Sequence, residues 1–161
     1  MAITAAQVNE LRQKTGAGMM DCKKALTEAN GDFEKAIEIL RKKGASVASK
    51  RAEKSANEGI VVTKVSDDNR KASMIEVNCE TDFVAKSEDF VKLAKAVVES
   101  AYKAESSDAK QLLESDKALN NMLVDVMGKV GEKVEVSRVL TLKAENGLIV
   151  DYIHMGSKLG V

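Results

Sequence analysis

The chain has 161 residues, and 44% of them are hydrophobic, which is the composition of a globular protein. Its 25 basic and 25 acidic side chains balance, which argues against bulk electrostatic binding to nucleic acid or to an anionic membrane. The length suits one ordinary domain, or a small domain joined to a medium one.

Three features of the composition bear on the compartment. The two cysteines, Cys22 and Cys79, are far apart in sequence, and two reduced thiols are favoured over one disulfide. The residues from Met1 onward lack the basic region and apolar stretch of a signal peptide. No apolar run approaches the roughly 20 residues that cross a bilayer. We therefore expect a cytoplasmic protein with no membrane association.

Three short helices are predicted in a first domain, residues 1–44. A capping box of Thr4 and Gln7 opens the first helix, and the following GAG sequence ends it. The second helix begins at Met19. The third helix follows Asp32 as its N-cap and is expected to end at Gly44. Residues 45–58 are Ala-rich and weakly amphipathic, and they are predicted to form a helical or extended linker.

After residue 58 the apolar pattern changes from helical to extended. The runs Ile60–Val65 and Lys71–Cys79 predict a β-hairpin, and two helices follow, joined by a polar connection expected to be mobile. Two further strands are predicted at Lys133–Ala144 and Leu148–His154. The order ββααββ predicts an α+β domain over residues 59–161, an antiparallel sheet with helices packed on one face. The predicted apolar helix faces are Phe90, Leu93, Ala94, Val97, Val98 and Ala101, then Leu119, Met122, Leu123, Val126, Met127 and Val130.

Residues for catalysis are scarce. His154 is the single histidine, so neither a Cys/His zinc site nor a histidine-activated nucleophile has further support in the sequence. No phosphate-binding glycine motif of the GxxxxGK[ST] or GxGxxG type occurs. The inventory therefore argues against an enzyme, and it predicts no metal or cofactor site.

Two places are hard to explain by folding alone. Met19 and Met20 are adjacent in a helix, where successive side chains point about 100° apart, so a small domain is not expected to bury both. They could form an adaptable contact surface with Arg12, or one could be buried and the other merely exposed. Phe83 follows Thr81 and Asp82, which favour caps and turns. Its ring could pack in the core, as Phe90 is expected to, or be exposed on a connection where function concentrates. The residues alone leave these alternatives open.

At these residues the chain resembles a known family. "LRQKTGAGMMDCKKALTEANGD" (Leu11–Asp32), "EVNCETDFVAKSEDF" (Glu76–Phe90) and "KVGEKVEVSRV" (Lys129–Val139) closely resemble the bacterial translation elongation factor Ts family. The resemblance covers essentially the whole chain. It implies a ubiquitin-associated-like fold for the three helices. It also implies guanine-nucleotide exchange on elongation factor Tu as the activity, without bond-making chemistry and without a cofactor.

The resemblance also implies the residues that contact the partner. The N-terminal helices would dock on the G domain of Tu, and the turn Thr81–Val84 would insert near its magnesium site and displace the ion. The aromatic ring would wedge between helices of the partner, with its acidic neighbour beside it. The matching positions are Arg12, Met19, Met20, Thr81, Asp82, Phe83, Val84, Val130 and His154.

The chain departs from the resemblance at its C-terminus. Long family members continue into a second α+β half, so we expect this chain to be truncated, and a homodimer through the core is a further expectation. The alternative function is a ubiquitin-associated-like adaptor or scaffold without exchange activity. An RNA-associated translation protein would need a basic face, for which Lys42–Lys54 is the candidate, and the neutral net charge disfavours it.

Overall fold

The computed structural model describes residues 3–161, so the first two residues of the predicted domain 1–44 lie outside it. Contacts within the chain group it into two compact units. The first runs up to Glu53 and adds Val124–Glu132, and the second comprises Lys54–Leu123 and Lys133–Val161. The α+β architecture predicted from the sequence is confirmed. The helices and strands, in chain order, are α1 (Ala5–Thr15), α2 (Met19–Glu28), α3 (Phe33–Lys50), β1 (Glu58–Val65), β2 (Lys71–Cys79), α4 (Asp82–Ala85), α5 (Glu88–Ala104), α6 (Ala109–Ser115), α7 (Lys117–Val130), β3 (Val134–Lys143), β4 (Ile153–His154) and β5 (Leu159–Gly160).

The first unit begins with the three predicted helices. The capping box of α1 is confirmed: the Thr4 hydroxyl accepts the Gln7 N–H, and the Gln7 side chain accepts the Thr4 N–H at 2.9 Å. Asp32 caps α3 by accepting the N–H of Lys35 at 3.1 Å. The helices enclose a small aliphatic core, which suits a domain with few aromatic residues. Its most deeply buried members are Leu11, Cys22, Ala25, Leu26 and Ala36.

Helix α3 continues through Gly44, and the prediction that it ends there is wrong. Gly44 faces the part of α7 that belongs to the same unit. A Cβ on Gly44 would lie 2.4 Å from the carbonyl oxygen of Val124, and one on Gly128 would lie 3.1 Å from the Cα of Gly44. The glycine therefore lets two helix backbones approach closely. The segment predicted as a linker is helical up to Lys50.

The second unit is built on an antiparallel sheet in the order β1-β2-β3. The predicted hairpin is confirmed, with Val65 opposite Ala72. Strand β3 contains a bulge, because Glu76 lies opposite Arg138 and Val77 opposite Val136, which leaves the intervening residue of β3 without a counterpart. Helix α5 contacts all three strands. Its predicted buried face is confirmed in full: Phe90, Leu93, Ala94, Val97, Val98 and Ala101 are all buried.

The two remaining helices differ partly from the prediction. The connection expected to be mobile contains the start of α6, whose N-cap Asp108 accepts the N–H of Gln111 at 2.7 Å. Of the predicted α7 face, Met122 and Val130 are half-buried. The other members of that face, Leu119, Leu123, Val126 and Met127, are buried. Within residues 3–161 no helix is long and apolar enough to cross a membrane.

The last predicted strand, Leu148–His154, is mostly wrong. Its final two residues form β4, which pairs with β5 in a short ribbon, and the earlier residues make isolated contacts near β1. The Ile149 N–H donates to the Asn69 carbonyl at 2.7 Å, and the Thr63 hydroxyl donates to the Asp151 carboxylate. These contacts do not repeat at successive pairs, so they form no ladder. The order ββααββ is therefore replaced by a three-stranded sheet and a separate two-stranded ribbon.

Candidate functional site

Helix α4 is a single turn that leaves the end of β2. Its N-cap is Thr81, whose hydroxyl accepts the N–H of Val84 at 3.4 Å and whose carbonyl accepts the N–H of Ala85 at 3.2 Å. At the other end, the Ser87 hydroxyl donates to the Val84 carbonyl at 2.8 Å. The same Ser87 side chain caps α5. Local sequence therefore closes this turn at both ends, as threonine and serine at cap positions do.

Phe83 stands on this turn, outside the core. Its side chain is 83% exposed, whereas Phe90, seven residues later, is fully buried beneath the sheet. Within the turn, Ala85 is the residue that packs inward, at 3% exposure. Leaving a phenylalanine in water forgoes about 1.5–3 kcal/mol of burial free energy. Folding of this chain therefore does not explain the position of the Phe83 ring.

Asp82 places a negative charge beside the exposed ring. Lys86 donates to its carboxylate at 2.7 Å, and this hydrogen bond holds the pKa of Asp82 below its ordinary value, with a smaller contribution from the positive charge of Lys158. The carboxylate is therefore ionised at neutral pH. The same pairing raises the pKa of the Lys86 ammonium. An aromatic ring next to a fixed carboxylate is a surface that can contact both apolar groups and cations.

His154 lies on β4 in the same unit and is exposed. The Tyr152 hydroxyl and His154 Nδ1 are 2.8 Å apart, and the two rings stack with centroids 5.6 Å apart. Sequence reasoning missed Tyr152, which is 58% exposed. Tyr152 lies within the run Leu148–His154, which was predicted as a strand. Leu148 and Val150 are in fact 67% and 81% exposed.

A groove connects the ribbon with the α4 turn. It has a volume of about 540 Å³ and a mainly apolar lining. Ala85 and Lys86 line it at the α4 end, and Ile153 and Met155 line it at the ribbon. The structure thus brings the neighbours of Phe83 and of His154 to one surface of the second unit.

In the first unit, Met19 and Met20 are both exposed, at 55% and 63%. They line a shallow groove of about 750 Å³ together with Val8 and Asn9 of α1. Arg12 is exposed on α1 but is not among the residues, within 3–161, that line this groove. The expectation that a small unit does not bury both methionines is confirmed.

The turn before Met19 lies against the end of α7. Gly16 has a left-handed backbone with φ of 69°, and a Cβ there would lie 2.6 Å from Nζ of Lys129. Val130, the next residue of α7, is half-buried in the same unit. The first unit therefore contains Arg12, Met19, Met20 and Val130, and the second contains Thr81–Val84 and His154.

Within residues 3–161 no group of three or more histidine, cysteine, aspartate or glutamate side chains could hold a metal ion. Cys22 and Cys79 are both buried free thiols, as predicted. The exposed groups that folding does not explain include a ring beside a carboxylate, a methionine pair and a tyrosine–histidine stack.

Comparison with known proteins gives the family. The model of the family described as "Elongation factor TS" matches residues 80–161, a span that includes α4 and His154. Elongation factor Ts of Clostridium perfringens is 49% identical over 163 residues, which cover 99% of this chain and 54% of the relative. Elongation factor Ts of Clostridium kluyveri is 50% identical over 99% of this chain and 54% of the relative, and that of Prosthecochloris aestuarii is 47% identical over 98% and 57%. The chain thus spans about half the length of the curated relatives it matches. With half of its residues matched by the family model and nearly half identical to each of these relatives, the chain belongs to the elongation factor Ts family.

Proposed function

We propose that the protein is a guanine-nucleotide exchange factor for elongation factor Tu. It promotes GDP release by inserting the turn Thr81–Val84 near the magnesium and nucleotide site of its partner. The observation that carries this proposal is the exposure of Phe83 on a capped turn, in a chain of the elongation factor Ts family. The ring acts as a wedge between helices of the partner, and Asp82 lies beside the magnesium site.

Exchange of this kind needs differential binding and no bond-making. A partner that binds the nucleotide-free form of Tu more tightly than the GDP-bound form must, by reciprocal linkage, weaken GDP binding by the same factor. Magnesium bridges the nucleotide phosphates and the G domain of Tu, so a contact that displaces the ion weakens the binding of GDP to Tu. The protein is accordingly a binding protein rather than an enzyme, and it requires no cofactor of its own.

The other contact residues anchor the complex. We propose that Arg12, Met19 and Met20 dock on the G domain of Tu, because unbranched methionine side chains adapt to an apolar partner surface. Val130 and His154 contribute further contacts. Contacts that are equal in both nucleotide states raise the affinity for Tu but shift no equilibrium between those states. Discrimination between the states is therefore assigned to Phe83.

Three further properties belong to this proposal. The protein acts in the cytoplasm, where translation takes place, and it contacts no nucleic acid directly, in keeping with its balanced charge. It also self-associates through the second unit to form a homodimer. Support for the dimer comes from apolar side chains that are exposed there, among them Leu140 and Leu142 of β3 at 40% and 50%.

The proposed activity is tested by release of a fluorescent GDP analogue from Tu in a stopped-flow instrument. Micromolar protein should accelerate the release severalfold above the spontaneous rate. An unchanged rate would contradict exchange activity. Binding through Met19 and Met20 without any acceleration would instead support the adaptor function.

A further inference from the structure

The α4 turn is closed by bonds among its own residues, and these bonds do not orient it on the sheet. Thr81 accepts from Val84 and Ala85, and Ser87 donates back to Val84. All of these partners lie within seven successive residues. Its C-terminal end is held by Ala85, which is buried, and by Ser87, which caps α5. A wedge also needs a defined direction where the chain leaves β2, so a contact at the N-terminal end must supply it.

Glu80 makes such a contact. It is the single residue between the end of β2 and the N-cap of α4. Its carboxylate Oε1 accepts the backbone N–H of Lys133 at 2.6 Å, from a residue 53 positions later in the chain. The last ladder pair of the two strands is Cys79 with Val134, so the register continued by one step places Glu80 opposite Lys133.

The main chain of Glu80 has just left β2, and its side chain bonds to the residue that precedes β3, the strand paired with β2. Glu80 accepts this backbone donor while the chain turns into α4. A hydrogen bond with an ionised acceptor contributes about twice as much as a neutral one. The neighbouring contact, from the Cys79 thiol to the Thr81 carbonyl at 3.1 Å, uses a weak donor. Glu80 is therefore the stronger of these two contacts at the N-terminal end of the turn.

We propose that Glu80 is a positioning residue, whose bond to the Lys133 backbone fixes the direction in which α4 leaves the sheet and so aims Phe83. The direction of α4 is set within the free protein and needs no partner. The effect of Glu80 on GDP release rests on the proposed exchange function.

The first test measures orientation in the free protein. Residual dipolar couplings of the N–H bonds of residues 82–86 should fit the alignment tensor determined from the sheet in the wild-type protein. In Glu80→Ala they should no longer fit that tensor. Glu80→Gln keeps an acceptor oxygen and should restore the fit. Glu99→Ala is the control, because Glu99 also bonds across elements, to Lys64 of β1 at 2.6 Å, and lies on α5 rather than at the turn.

The second test measures GDP release from Tu with the same variants. Glu80→Ala should lower the maximal release rate roughly tenfold, the factor that corresponds to about 1.4 kcal/mol. Glu80→Gln and Glu99→Ala should remain within about twofold of wild type, which is below 0.5 kcal/mol. Unchanged couplings in Glu80→Ala, or an equal loss of rate in the Glu99 control, would overturn the proposal. If the wild-type protein does not accelerate GDP release from Tu, the exchange function is contradicted, and the dipolar couplings alone decide the role of Glu80.

Discussion

Phe83 and Phe90 are two rings of one type, seven residues apart, in opposite environments. Phe83→Ala should change the free energy of unfolding by less than about 0.5 kcal/mol, because the ring is 83% exposed and packs against little. Phe90→Ala should cost about 3–5 kcal/mol, because it opens a cavity in the core. Urea unfolding monitored by circular dichroism compares the two. A loss above about 2 kcal/mol for Phe83→Ala would show that this ring supports the fold.

The carboxylate beside the wedge gives a prediction on pH. The pKa of Asp82 lies below its ordinary value because Lys86 donates a hydrogen bond to it. Its contribution to stability is therefore present above the unfolded pKa and is lost as the pH falls through the lower, folded one. Lys86→Gln removes the cation, so the pKa of Asp82 should rise. A carbon-13 NMR titration of the Asp82 carboxyl measures it, and an unchanged pKa would mean that Lys86 is not the cause.

At the residue scale, residue type and spacing predicted the helix caps and the buried faces, but they left the exposure of Phe83 open. The cap of Thr81 follows from residue type, and the structure shows it. The helical period of α5 predicted that Phe90 is buried, and the structure shows it. The exposure of Phe83 follows from the direction of α4, which depends on a contact between Glu80 and a residue 53 positions away. No local pattern contains such a contact.

At the scale of elements, replacing Gly44 with alanine has two opposing effects on the stability of the fold. Alanine in place of a mid-helix glycine normally stabilises by about 1 kcal/mol. Here the new Cβ would lie 2.4 Å from the carbonyl oxygen of Val124, and a backbone atom cannot rotate away. We expect the clash to outweigh the gain, so Gly44→Ala should destabilise by about 1–3 kcal/mol.

The control for this substitution is Ser46→Ala, on the same helix at an exposed position, which should change stability by less than about 0.5 kcal/mol. Thermal unfolding of both variants checks the prediction. A stabilised Gly44→Ala protein would show that the glycine has no packing role.

The elements that were predicted correctly have strong periodic patterns and caps, as in α1, α5 and the β1–β2 hairpin. The errors have physical reasons. Glycine was interpreted as a helix end in α3, although it was needed for close approach to another helix. The run 148–154 was predicted as a strand, although Leu148, Val150 and Tyr152 are exposed and only its last two residues pair with another strand. In both cases tertiary contacts decide, and a local pattern cannot distinguish the outcomes.

At the scale of the whole molecule, exposed apolar side chains of the second unit predict self-association. Light scattering should show a mass that rises towards twice that of the 17.4 kDa chain as the concentration increases. Leu142→Glu places a charge on the exposed face of β3 and should shift the equilibrium towards monomer. A monomer at all concentrations up to about 1 mM, the Kd of an interaction of about 4 kcal/mol, would contradict the dimer.

The central claim is that the Phe83 contact distinguishes two states of the partner. The direct measurement is the affinity of the protein for nucleotide-free and for GDP-bound Tu, for the wild type and for Phe83→Ala. We predict that the wild type prefers the nucleotide-free form by roughly tenfold or more, a common size for such couplings, and that Phe83→Ala loses most of this preference. Equal wild-type affinities for the two forms, or a full preference retained without the ring, would contradict the account.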